Sequence, residues 1–231
     1  MITIDKYLNN PTKTLHCTYN QYKTRALKKN EVIVSCDKYR EEDYLDYFDS
    51  KIMRMKHDLH NLTSSKINKN LSFKSSTFEP YEDENKYFID DLYTLMKEIS
   101  SVSDEDFDHI TKVIKDNNFD TELCFILYTA KPYRSISQKR KRYPVGFCYA
   151  TLDKTIGEAT IEAFGIIPEL RKKGYAKIII EELLLRLANL DTVFMTIQFP
   201  MYDDHILEKL FKDCGFTDEY VWHILKKNSF F

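Results

Sequence analysis

The segment from Thr160 to Leu185, TIEAFGIIPELRKKGYAKIIIEELLL, leaves this chain fewer ways to fold than any other stretch. It reads as a strand, a turn marked by Pro168, a short basic loop with one glycine, and an amphipathic helix. The first backbone N–H groups of a helix have no intrahelical partner, and the aligned peptide dipoles place about half a positive charge there. A phosphate can sit on such an end. Arg171, Lys172 and Lys173 add charge beside it, and Gly174 lets the backbone approach a ligand closely. The segment predicts an anion-binding helix start.

What flanks this segment sets the fold class. From Gly174 to Asn189, Ala176, Ile179, Ile180, Leu183, Leu184 and Leu187 recur at the spacing of a helix laid on a sheet. Thr192 to Phe199 then reads as a strand ended by Pro200, and a strand, a crossover helix and a strand favour a parallel pair. Upstream, Thr121 to Ala130, Val145 to Leu152 and Gly157 to Ile167 read as an antiparallel meander, with Asp153, Lys154 and Thr155 in its second turn. Downstream, Asp203 and Asp204 start a helix carrying Ile206, Leu207, Leu210, Phe211 and Cys214, closed by Gly215, and Phe216 onward is a last strand.

The first half is less patterned. Residues 1 to 30 hold a short helix from Ile4 to Leu8 and a break at Pro11, and are expected to form an N-terminal extension; 31 to 231 form one domain. Glu31 to Cys36 predicts the first strand of the sheet. Between Arg40 and Leu62, Tyr44, Tyr47, Phe48, Ile52, Met55 and Leu59 fall at three- and four-residue spacings and predict a helix. Residues 63 to 80 read as a connecting loop. Two helices follow, one over Tyr87 to Ile99 and one begun by Ser103 as N-cap, with Asp104, Glu105 and Asp106 in its first turn and Asn117 and Asn118 at its end.

Charge and cysteine usage narrow the function classes. The 34 basic and 36 acidic residues leave a net charge of −2, so the whole chain is not an electrostatic magnet for nucleic acid or membrane. No long apolar run and no secretory leader pattern occur, and the expected compartment is cytoplasmic. The five cysteines, Cys17, Cys36, Cys124, Cys148 and Cys214, are odd in number and lack CxxC spacing, which predicts reduced structural thiols. His57 and His60 are spaced as two ligands on a helix face would be, but lack companions to complete a site, so no metal is expected. One local basic patch, Lys131, Arg134, Lys139, Arg140, Lys141 and Arg142, lies in the loop between the first two meander strands. It suits RNA phosphates or an acidic protein, or is simply a solvated hairpin tip.

Taken together, these residues resemble the GCN5-related N-acetyltransferase superfamily. The superfamily's acetyl-CoA signature is Gln or Arg, two residues, Gly, one residue, then Gly or Ala, and Arg171-Lys172-Lys173-Gly174-Tyr175-Ala176 matches it. Ile166, Ile167 and Pro168 lead in as the apolar residues and proline usual there, and Gly215-Phe216 closes the last helix. The resemblance covers roughly Glu31 to Lys227. It implies an α/β (α+β) fold with a mixed, mostly antiparallel central sheet, a splayed parallel strand pair and flanking helices.

The resemblance also implies roles. The amides from Lys172 through Ala176, next to Arg171, would bind the CoA pyrophosphate, and backbone groups near Ile166 and Ile167 would pair with the pantetheine arm as if it were a strand. Acetyl-CoA would be the cosubstrate, and a primary amine would take the acetyl group by direct attack. Glu162 is the first candidate for the base, with Glu158 four residues earlier on the same strand face; Thr196 and Gln198 could instead hold a relaying water. The superfamily's usual acid is a tyrosine four residues before the last helix's Gly-Phe pair; that position is Phe211 here, leaving Tyr202 or water as proton donor. Asp204 stands where many members have Asn.

Two other functions fit the same residues. Phe211 is compatible with a non-catalytic acyl-CoA-binding or regulatory module. The basic loop is compatible with acetylation of an aminoacyl-tRNA or a ribosomal protein. The acceptor itself is not written in the sequence, and either a monomer or a homodimer is compatible with it.

Overall fold

The computed structural model describes residues 14–16, 32–35, 47–60, 76–82, 87–100, 103–116, 119–130, 142–190, 192–201 and 205–227. In chain order these form β1 (Thr14–His16), β2 (Val32–Ser35), β3 (Tyr47–Asp58), β4 (Ser76–Pro80), α1 (Phe88–Ser100) and α2 (Asp104–Ile114). Then come β5 (Cys124–Thr129), β6 (Tyr143–Asp153), β7 (Glu158–Ile166), α3 (Tyr175–Leu187), β8 (Phe194–Pro200), α4 (Ile206–Asp213) and β9 (Thr217–Lys227). Two compact units result, one from Met1–Lys56 with Ile197–Phe231, the other from His57–Thr196. None of the described helices is long and apolar enough to cross a membrane.

The second unit holds the segment of interest. Its strands run in the order β7, β6, β5, β4, each pair antiparallel. In the short turn between β6 and β7, Asp153 Oδ1 accepts from the Thr155 amide at 2.8 Å. Two glycines let helices close on opposite faces of this sheet. A Cβ on Gly165 would stand 2.3 Å from Ile99 Cγ2 of α1, and one on Gly146 would stand 2.9 Å from Ile179 Cδ1 of α3. Gly165 pairs with Phe147 and Ile166 with Gly146, so the glycines point to opposite sides. Leu183, Leu187 and Ile179 of α3 are fully buried, as the helical spacing predicts. Ser103 caps α2, its Oγ accepting from the Asp106 amide at 3.1 Å.

β8 begins beside β7. The Val193 amide donates to Gly157 O at 2.8 Å, and three residues further along each strand Thr160 and Thr196 place their hydroxyl oxygens 3.3 Å apart. Both strands therefore ascend together, the parallel pair expected from the crossover helix.

In the first unit the order is β1, β2, β9, β3. β1 pairs parallel with β2, and β9 runs antiparallel to both β2 and β3. Val34, Ile52 and Ile224 form its apolar cluster, with Val32 and Trp222 against it. α4 ends in a Schellman motif: the Phe216 amide donates to Phe211 O and the Gly215 amide to Lys212 O, each at 3.0 Å, with Gly215 at φ 92°. The Phe211 and Phe216 rings, 5.0 Å apart, supply the apolar contact that accompanies this cap.

Four expectations change. Residues 47–58, expected within a helix, form strand β3. Ile52, Met53 and Met55 are all buried, so the strand is covered on both faces and loses the alternation that would have marked it. Ser76–Pro80, expected in a loop, is strand β4, paired with β5. The strand at residues 32–35 is preceded by Thr14–His16, so it is second rather than first, and part of the expected extension pairs with the sheet. The strand expected from Thr121 starts as a 3-10 turn, Thr121–Leu123, whose Asp120 side chain accepts from the Glu122 amide. The helix expected over Ile4 to Leu8, Asn117 and Asn118, and the basic loop through Lys141 lie outside the described residues.

Candidate functional site

β7 carries the candidate base. Its burial alternates, with Ala159, Ile161 and Ala163 buried and Glu158, Thr160 and Glu162 half-buried. The ladder to β6 shifts register between Tyr149 and Ala150: Tyr149 faces Ala163, and Ala150 faces Ile161. Glu162 is the residue left over, a β-bulge. A bulge re-aims the side chain it carries, and here Glu162 Oε1 accepts from Thr151 Oγ1 of β6 at 3.0 Å.

Glu158 is placed differently. It pairs with Asp153 at the hairpin end of β7, and its Oε1 accepts from Thr196 Oγ1 at 2.6 Å, with Thr160 Oγ1 at 3.5 Å. At roughly 3.3 Å per residue, Glu158 lies about 26 Å along the strand from Ile166, against about 13 Å for Glu162. Glu162 is therefore the carboxylate nearer the basic loop. Thr196, one candidate for holding a water, instead directs its hydroxyl to Glu158. Gln198 Oε1, in the other unit, is buried without a hydrogen-bond partner among the described residues.

The loop over residues 171–174 leaves β7 through fixed contacts. The Ile167 amide donates to Val145 O at 3.1 Å, so its N–H is turned toward β6, whereas adjacent Ile166 turns its backbone groups to the opposite edge. That edge is partly used: Arg171 Nε donates to Ile166 O at 3.2 Å. Pro168–Leu170 make a 3-10 turn closed by the Arg171 amide on Pro168 O at 3.2 Å. Lys172 at φ 60° and Gly174 at φ 87° are both left-handed, two backbone reversals that swing the chain into α3.

Gly174 caps α3 with no side-chain hydrogen bond, and no acidic residue stands in the first turn. The first intrahelical bond runs from the Ile178 amide to Gly174 O at 3.4 Å. Arg171, Lys172, Lys173 and Gly174 are exposed, while Tyr175 and Ala176 are half-buried. A helix start with no capping oxygen, no carboxylate and three exposed bases fits a pyrophosphate. Ile166 fits a strand-like arm through its N–H, which is turned away from β6; the Ile167 N–H is committed within the sheet.

The candidate proton donors separate. Tyr202 and Asp204 lie outside the described residues. Phe211 is fully buried between Phe199, stacked at 5.6 Å, and Phe216. Packing and the helix cap, not chemistry, use that position. His60 contacts Asp58 and Val193 O, and no group of metal-binding side chains occurs among the described residues.

Sequence reasoning missed Tyr149 and Thr151. Both lie on β6, on the side that Glu162 faces, and burial first, then the charge of Glu162, raises the Tyr149 phenol far above its ordinary range. Alternation in VGFCYATL puts Phe147, Tyr149 and Thr151 on one side, a signal that was readable; the bulge that brings Glu162 to them was not.

No family model matches the chain, and no curated protein matches it by sequence. Solved structures do match in shape. A GCN5-related N-acetyltransferase from Sphaerobacter thermophilus aligns with a TM-score of 0.62 at 12% identity, over 84% of this chain and 59% of that one. A functionally unknown conserved protein from Staphylococcus epidermidis aligns at 0.54 and 14% identity, over 99% of this chain and 82% of that one. An acetyltransferase of the same family from Colwellia psychrerythraea aligns at 0.54 and 11%, over 80% and 58%. The chain spans less than two thirds of the length of the first of these. It has the fold of the GCN5-related N-acetyltransferases, a mixed sheet flanked by helices.

Proposed function

We propose that this chain moves an acetyl group from acetyl-CoA to a primary amine by direct attack. The observation that carries the reading is the sequence of parts along one segment: a bulge at Glu162, Ile166 backbone groups turned away from β6, two left-handed residues, and an uncapped, acid-free helix start flanked by bases. Bound acetyl-CoA supplies an activated thioester acetyl group. The amides of Lys172 through Ala176, next to Arg171, hold the pyrophosphate, and Ile166 holds the pantetheine arm.

Glu162 handles the proton. An amine with a lysine-like pKa of about 10 is an ammonium near neutral pH and has no free lone pair until it loses a proton. Glu162, oriented by Thr151 through Oε1, takes that proton directly or through a water. A positioned base of this kind contributes on the order of 10²–10⁴-fold. The thiol leaving group has a cysteine-like pKa of about 8.5, so water suffices as its proton source.

A second reading rests on Phe211. Its burial in an aromatic cluster leaves the usual acid position without a hydroxyl, as in a module that binds acyl-CoA without turnover. Thiol release from acetyl-CoA, measured across a panel of primary amines, separates the two. Amine-dependent release supports the transferase; tight acetyl-CoA binding with no release for any amine supports the module.

A further inference from the structure

The sheet face that presents Glu162 carries one more polar group, unused by the chemistry above. Tyr149 faces Ala163 on β6, and the bulge brings Glu162 to the same side, where Thr151, two residues along β6, holds its Oε1. The Tyr149 ring is 5% exposed and lies 6.0 Å from the Phe119 ring, so its position is fixed by packing. No hydrogen bond joins its hydroxyl to a described residue. Burial, and secondarily the negative charge of Glu162, keep the phenol neutral well beyond physiological pH.

A phenol held above its ordinary range is a poor acid toward a thiolate, whose proton affinity is lower. It is a good permanent hydrogen-bonding group. An ammonium presents several N–H donors at once, and a carboxylate takes only part of them. We infer that Tyr149 is a second ligand of the acceptor amine, its phenol oxygen taking one N–H while Glu162 takes the proton that leaves; this rests on the amine-acetylation reading above. The nitrogen is then held at two points, so its lone pair has a defined direction when the proton departs. No atom of Tyr149 is consumed: its proton stays on the phenol throughout. Its contribution is to amine binding and aim, and it has no part in holding CoA.

The test uses the full chain saturated with CoA, carrying tyrosine labelled with 13C at Cζ, titrated with ethylammonium and, separately, with tetramethylammonium, which has no N–H. The Tyr149 resonance, assigned by its absence from Tyr149→Phe, is expected to shift with ethylammonium and not with tetramethylammonium. Tyr149→Phe keeps the ring and should bind ethylammonium about tenfold to a hundredfold more weakly, the range for a lost hydrogen bond to a charged group, with CoA affinity unchanged. An unmoved resonance in the wild type, or equal ethylammonium affinity in Tyr149→Phe, overturns the inference. Failure of CoA to bind, with the ethylammonium shift intact, would instead count against the acetyl-CoA reading and leave the amine site standing.

Discussion

Thr151 Oγ1 donates to Glu162 Oε1 across 3.0 Å, at the point where the β6 and β7 ladder shifts register. A strand in regular register would have paired Glu162 with a β6 residue; the bulge frees it to lean onto Thr151. Glu162→Gln keeps the shape and removes the proposed base, and should lower kcat for amine acetylation by about 10²–10⁴-fold. Thr151→Val should cost less, about tenfold, with Thr151→Ser close to wild type. Steady-state kinetics on the three variants gives the order; a Glu162→Gln enzyme with wild-type kcat would remove Glu162 from the chemistry.

Ile99 of α1 packs onto β7 at Gly165. A Cβ there would meet Ile99 Cγ2 at 2.3 Å, so Gly165→Ala should destabilise by about 1–3 kcal/mol through overpacking. In an Ile99→Ala background the same change should cost clearly less, because the obstructing atoms are gone. Urea unfolding of the four proteins measures this coupling. Additive effects would show that the contact is not where the strain arises.

Cys148 is buried on β6, and burial pushes its thiol up from 9.0 to about 12, eased slightly by the Arg186 charge. The folded state thus holds a proton that the unfolded state loses first. Its stabilising contribution is full below about pH 9 and declines as pH rises toward 12, at up to about 1.4 kcal/mol per pH unit. Native protein should therefore resist iodoacetamide at Cys148, and at Cys124, whose thiol burial also raises, and become reactive on unfolding. Mass spectrometry after alkylation at pH 8, with and without denaturant, gives the answer; rapid native labelling of either thiol would contradict the packing.

The C-terminal half of the fold was legible because its signals are local. Pro168, Gly174 and the apolar spacing from Ala176 to Leu187 specify a turn, a loop and a helix within a few residues, and the structure places all three there. The meander was legible from its turn at Asp153 to Thr155. β3 was not, because burial on both faces of Ile52, Met53 and Met55 erases the period of two, and only its partner β9, far along the chain, decides between strand and helix. β4 was hidden for a related reason: its identity comes from pairing with β5. Of the site, Glu162 and the loop could be read directly. Its neighbours Tyr149 and Thr151 could not be joined to it without the bulge.

The start of α3 is the proposed CoA site. Gly174, at φ 87°, both turns the chain into the helix and leaves room for a ligand beside its amide. Calorimetric titration of CoA into wild type and Gly174→Val measures the claim directly, with thermal melting to confirm that the variant is folded. Binding in the wild type that weakens at least about tenfold in folded Gly174→Val, a loss of roughly 1.4 kcal/mol, is the predicted result. Equal affinity in the two proteins, or no binding to the wild type, would contradict it.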